Sequence, residues 1–148
     1  MRRQVRSRLI GRETSRGQGL VEFALIFPIL MLLLVAIFDL GRLVFAYNDI
    51  TNAARAGVRT AIVNQGTDVA ESTTIQQATS LGLTDSNVTI SYLAPDLGGP
   101  CPPPYDLGCV AEVVVTFDWQ AITPIIGSIV GPVTVTTETR MPIERVYP

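Results

Sequence analysis

The chain has 148 residues, of which eleven are basic and thirteen acidic, and it contains two cysteines and no histidine. This length allows one small globular domain beside a membrane segment. All basic residues are arginine, so neither histidine nor lysine is present as a general base. We therefore expect no enzyme, with no catalytic residue, no metal and no cofactor.

The first 17 residues form a basic leader. They hold six of the eleven arginines and one acid, a charge of +5, whereas residues 18–148 hold five arginines and twelve acids, a charge of −7. An arginine cluster that stops where an apolar run starts is typical of the cytoplasmic side of a membrane span. We interpret residues 1–17 as a cytoplasmic leader and expect no nucleic-acid partner, because no DNA-binding pattern accompanies the basic residues.

The apolar run that follows occupies residues 20–38. At ~1.5 Å per residue it spans about 28 Å, close to the ~30 Å core of a bilayer. It is longer than the apolar core of a secretory signal, and no good signal-peptidase site follows it. We predict a retained transmembrane segment over 20–38, surrounded by membrane lipid, with the C-terminal domain outside the cytoplasm.

Glu22 is the one charged residue near the start of this run. A carboxylate there costs ~2.5 kcal/mol or more unless it is paired or lies at the interface. Two interpretations stay open at this point. Glu22 either lies at headgroup depth without a special role, or it pairs with a cation.

The segment around Glu22 resembles the processing site of type IV pilin-like proteins, reading Arg16-Gly17-Gln18-Gly19-Leu20-Val21-Glu22-Phe23. The resemblance implies that a prepilin peptidase cuts between Gly17 and Gln18. Glu22 would become the fifth residue of the mature chain, and Phe23 the aromatic residue after it. In this superfamily the glutamate pairs with the N-terminal amine of a neighbouring subunit.

Helical periodicity continues beyond the apolar run. We predict one helix from about Gly19 to Asn64, within a long-helix segment bounded at 18–64, which ends at the stop signal Gly66. Small residues over 53–57 would let other helices approach closely. An apolar stripe along this helix should pack on the protein's own sheet. The stripe consists of Leu43, Tyr47, Ile50, Ala54, Val58 and Ala61.

Residues 65–148 are expected to form an extracytoplasmic α+β domain. A short helix is predicted over 68–81, and period-two patterns predict strands over 88–92, 111–119 and 133–141. Such patterns favour an antiparallel sheet with one buried face. The predicted fold class is therefore α+β and pilin-like, with the C-terminal half of the long helix packed on a sheet of three or four strands.

The two cysteines, Cys101 and Cys109, belong to a loop over 94–109 that is rich in proline and glycine. Without histidine, this pair makes a poor zinc site. A disulfide in an oxidising compartment and two free thiols both remain open.

Later segments resemble TadE-like proteins of the tight-adherence (Flp) pilus system. The similarity lies in the sequence NAARAGVR over 52–59, in Thr123-Pro124, and in Met-Pro-Ile-Glu over 141–144. It covers most of residues 16–144, but no role for the cysteines can be carried over. The resemblance implies a minor pilin or pseudopilin that helps assemble or initiate a pilus for surface attachment. Its partners would be other pilin-like subunits, the prepilin peptidase and an inner-membrane assembly platform.

A different class of function also fits the sequence. The chain would then be an unprocessed, single-pass binding module, anchored in the membrane with its domain outside the cytoplasm. The two interpretations differ in whether the mature N-terminus is Gln18 or the leader is retained.

Overall fold

The computed structural model describes residues 15–144 of the chain. Helix α1 runs over Ser15–Asn64 and belongs to two compact units, which divide between Ile37 and Phe38. The predicted end at Asn64 is confirmed, whereas the helix begins at Ser15 rather than at Gly19. Most of the expected leader, including five of its six arginines, lies outside the described residues.

The end of α1 is set by backbone conformation. Gln65 has a φ of 53°, in the left-handed region, and its N–H donates to the carbonyl of Ala61 at 2.9 Å. A left-handed residue directly after the last helical turn closes a helix in this way.

The second unit contains a three-stranded antiparallel sheet in the order β1-β2-β3. Its strands are β1 (Val88–Leu93), β2 (Val110–Trp119) and β3 (Val133–Pro142). Val88 lies opposite Val115, and Trp119 lies opposite Val133. The predicted α+β fold and its three strands are therefore confirmed.

The C-terminal half of α1 covers this sheet. Ile50, Ala54, Val58 and Ala61 are fully buried, as the apolar stripe predicted, and they share one core with Val113 and Val115 of β2.

Toward its N-terminal end the stripe was predicted wrongly. Tyr47 is exposed and Leu43 is half-buried, whereas Ala46 is buried. Small Ala46 takes the buried side of α1 at this level, while Leu43 and Tyr47 line an open groove of about 410 Å³ beside the first residues of β3.

Two shorter α-helices also belong to this unit. Helix α2 runs over Thr67–Gln77, and a separate 3₁₀ turn over Thr79–Leu81 occupies the end of the helix predicted over 68–81. Helix α3, over Pro124–Val130, connects β2 to β3 and was not predicted.

Candidate functional site

The first turns of α1 place Gln18 and Glu22 on one face. The two residues are four positions apart, a spacing that brings side chains together on a helix. The side-chain amide of Gln18 donates to Oε1 of Glu22 at 3.3 Å, and both residues are exposed. Gly17 and Gly19 have open space around them, since a Cβ added at either would meet nothing within 4 Å. Residue 18 therefore lies within reach of the Glu22 carboxylate, one turn along the helix.

The apolar side chains around Glu22 are also exposed. The ring of Phe23 lies 5.3 Å from that of Phe27, tilted by 36°. Among the described residues, α1 is the one helix that is long and apolar enough to cross a membrane, and no part of its most apolar window is buried. A continuous apolar surface of this size requires a cover of lipid or protein. Helix α1 fits a single-pass membrane anchor.

A buried carboxylate follows the predicted span directly. Asp39 is 3% exposed and accepts hydrogen bonds from the hydroxyl of Thr123 at 2.8 Å and from the N–H groups of Ile122 and Thr123, each at 3.2 Å. The guanidinium of Arg42 lies 3.4 Å away. The Thr123 hydroxyl is the main cause that holds the pKa of Asp39 below its usual value, against the opposing effect of burial. Asp39 thus connects α1 to the residues that lead into α3.

Sequence reasoning missed this contact. Asp39 and Thr123 are 84 residues apart in the chain, so no local pattern joins them. Two signals were nevertheless present: an acid placed directly after an apolar run, and a Thr-Pro pair of the kind that starts helices.

Residues 17–59 match the model of a family described as TadE-like protein. The chain carries a TadE-like segment. The match covers the residues Gly17, Gln18, Glu22 and Phe23 as well as 52–59, and it confirms the resemblance there; the similar tail over 123–144 lies outside it. The match suggests a connection with the tight-adherence pilus. No curated protein and no solved structure matches the chain.

The TadE-like segment includes a close contact between α1 and α2. A Cβ at Gly57 would lie 2.0 Å from Oγ1 of Thr74 on α2, whose hydroxyl donates to the Ala70 carbonyl at 2.7 Å. Glycine at this position therefore allows a helix to pack closely, as the small residues predicted. The helix that approaches is the chain's own α2.

Beyond the TadE-like segment, the long loop is joined to the core. The structure places Cys101 and Cys109 in a disulfide with their Cα atoms 6.1 Å apart. The ring of Tyr105, inside this loop, stacks on Tyr92 at a centroid distance of 3.8 Å. The Tyr92 hydroxyl in turn donates to the carbonyl of Ala61 at 3.2 Å. Burial is the main cause that raises the pKa of Tyr92, so it remains a neutral donor at physiological pH.

Proposed function

We propose that this chain is a structural subunit, a minor pilin or pseudopilin, that takes part in assembling or initiating a tight-adherence pilus for surface attachment. One observation supports this above the others. An exposed glutamate stands one helical turn from Gln18 on an exposed apolar helix, and both residues belong to the TadE-like match. A carboxylate in that setting requires a partner or a wet environment.

In this proposal the partner is created by cleavage. A prepilin peptidase removes the leader 1–17 and exposes the amine of Gln18. The mature chain then has a helix over 18–64, with its membrane part over 20–38, and an extracytoplasmic domain over 65–148. The new amine of one subunit pairs with Glu22 of its neighbour, where low dielectric strengthens the attraction.

Such pairing selects one axial offset between packed helices. Leucine and isoleucine side chains on a lipid-facing helix favour no offset, because sliding one helix along another changes their contacts little. A buried charge pair favours the offset that brings the amine and the carboxylate together. Glu22 would thus set the register between subunits, with Phe23 beside it as part of the same contact.

The cysteines support an extracytoplasmic location for the domain. Disulfides persist in oxidising compartments and are rare in the cytosol, and the structure pairs Cys101 with Cys109. The arginines of the leader favour a cytoplasmic N-terminus. After insertion, the subunit would meet other pilin-like subunits on the inner-membrane assembly platform.

The cut is tested by comparing two glycine variants. Gly17→Leu should block cleavage, because the peptidase grips a small residue before the cut, and Gly19→Leu should be processed. Both sites are open in the structure, so neither leucine should disturb the fold. Intact mass and N-terminal sequencing of the membrane-extracted protein report whether the chain begins at Gln18. A retained leader in wild-type protein from cells that have the peptidase would contradict the proposal and favour an unprocessed binding module.

A further inference from the structure

Helix α3 presents an apolar surface that nothing in the described part of the chain covers. Residues 119–133 contain no charged side chain. Four of their large aliphatic side chains are more than half exposed. These are Ile122 (70%), Ile125 (55%), Ile129 (78%) and Val130 (54%).

The position of α3 is fixed by Asp39. That carboxylate accepts three hydrogen bonds from Ile122 and Thr123, directly before α3, and it is the residue after Phe38, the last of the predicted span. The residues that start α3 therefore contact α1 directly after the residues predicted to span the membrane. Phe38 and Leu40, the sequence neighbours of Asp39, are also apolar, and they are 72% and 60% exposed.

We propose that α3, together with Ile122, lies in the surface of the membrane that α1 crosses, with its isoleucines at the boundary between headgroups and acyl chains. Helices that lie in this zone bury their apolar side chains about 5–10 Å into the boundary between headgroups and acyl chains. The inference rests on the membrane anchor of the proposed function and does not depend on cleavage or on pilus assembly.

The hydrogen bonds of Asp39 explain how a carboxylate can lie at the surface of the membrane. A carboxylate taken out of water is costly unless hydrogen bonds replace its hydration. Ile122, Thr123 and Arg42 supply four donors, so Asp39 connects α1 to α3 without exposing its charge to lipid. A lipid surface fits α3 better than a polar protein partner does, because α3 is uncharged and adjoins a span that already lies in lipid.

The end of the sheet opposite α3 provides a matched control position. Trp119 pairs with Val133 beside α3, whereas Val110 pairs with Pro142 at the far end of β2. At ~3.3 Å per residue these ends are about 30 Å apart. Leu107 lies next to the far end and is 64% exposed, comparable to Ile129.

The test places an environment-sensitive fluorescent amino acid at Ile129, at Leu107 or at Ile29, one site per protein. Ile29, in the span, is 69% exposed and reports the anchor itself. Each full-length protein is reconstituted alone into vesicles of phosphatidylethanolamine and phosphatidylglycerol that contain a minor fraction of doxyl-labelled lipid. We expect blue-shifted emission at position 129 and at least about twofold more quenching than at position 107, with the strongest effect from labels near the headgroups.

Three outcomes would overturn the inference. If emission at 129 and 107 is equally water-like while position 29 is quenched, α1 is anchored in the membrane but α3 lies in water. Blue-shifted emission at 129 without quenching by lipid labels would mean that protein, such as a second copy, covers α3. Absence of quenching at 29 would remove the anchor, and the proposed function with it.

Discussion

Replacing Gly57 by alanine tests the contact between α1 and α2 inside the TadE-like segment. The added methyl group would lie 2.0 Å from Oγ1 and 3.3 Å from Cβ of Thr74. Thr74 is fully buried, and its hydroxyl is held by the Ala70 carbonyl at 2.7 Å. The methyl group can therefore be accommodated only if α2 shifts or Thr74 leaves its rotamer.

Two opposing effects set the magnitude. Overpacking a well-packed core costs about 1–3 kcal/mol, while alanine gains about 1 kcal/mol over glycine in helix propensity. Because the approach is far below a normal contact distance, we expect the overpacking cost near the upper end of this range, which leaves a net loss of about 1–2 kcal/mol. For a domain of this size each kcal/mol lowers Tm by about 4–8 °C. Thermal unfolding of the full-length protein in detergent, followed by circular dichroism, measures the change.

Gly41→Ala is the matched control, since a Cβ at Gly41 would meet nothing within 4 Å. It should raise Tm slightly through helix propensity alone. In the double variant Gly57→Ala/Thr74→Ala the clashing hydroxyl is absent. The stability losses of the single variants Gly57→Ala and Thr74→Ala should therefore not add, and their coupling energy should be about 1 kcal/mol. A Gly57→Ala protein as stable as Gly41→Ala, or additive losses, would refute this explanation of Gly57.

Asp39→Ala should abolish the protection of the Ile122 and Thr123 amides against hydrogen exchange, and unchanged protection would show that Asp39 does not hold them. In the wild type the pKa of Asp39 is lower in the folded state, so its stabilising effect should be complete above the unfolded pKa. The effect should disappear as pH falls through the folded pKa, and amide exchange corrected for its intrinsic pH dependence follows this loss. Cys101 and Cys109 should give no free thiol without reduction, and reduction should remove about 2–3 kcal/mol of stability by releasing a short loop. Two readily alkylated thiols in native protein would contradict that pairing.

Periodic patterns in the sequence predicted the strands and most of the buried stripe of α1, because these features depend on the spacing of neighbouring residues. The three strands alternate apolar and polar residues, and Ile50, Ala54 and Val58 recur at helical spacing, so their burial followed from the sequence. The limit shows at Tyr47. Its spacing fits the stripe, but burial there depends on where β3 begins, and Ala46 takes the inner position instead.

The residues of the candidate site also differ in whether the sequence alone could reveal them. Gly17, Gln18, Glu22 and Phe23 could be found because they are neighbours in the sequence and resemble a processing site, and the geometry adds the contact between Gln18 and Glu22. The contact of Asp39 with Thr123 could not be found, because it joins residues far apart in the chain. Helix α3 has seven residues, too few for a helical period to be distinguished from a short apolar connection.

Crosslinking in cells that carry Glu22→Gln tests most directly whether Glu22 pairs between subunits. The substitution keeps the shape of the side chain and removes its charge, so cleavage, insertion and the fold should be unchanged. Losing one partner of a desolvated charge pair costs about 2 kcal/mol or more, so crosslinked pilin-like subunits should fall at least about tenfold, together with adhesion. Glu71→Gln, the same change on α2, should retain both. Wild-type crosslinking and adhesion in Glu22→Gln would contradict pairing and leave Glu22 as an interfacial residue without a role in assembly.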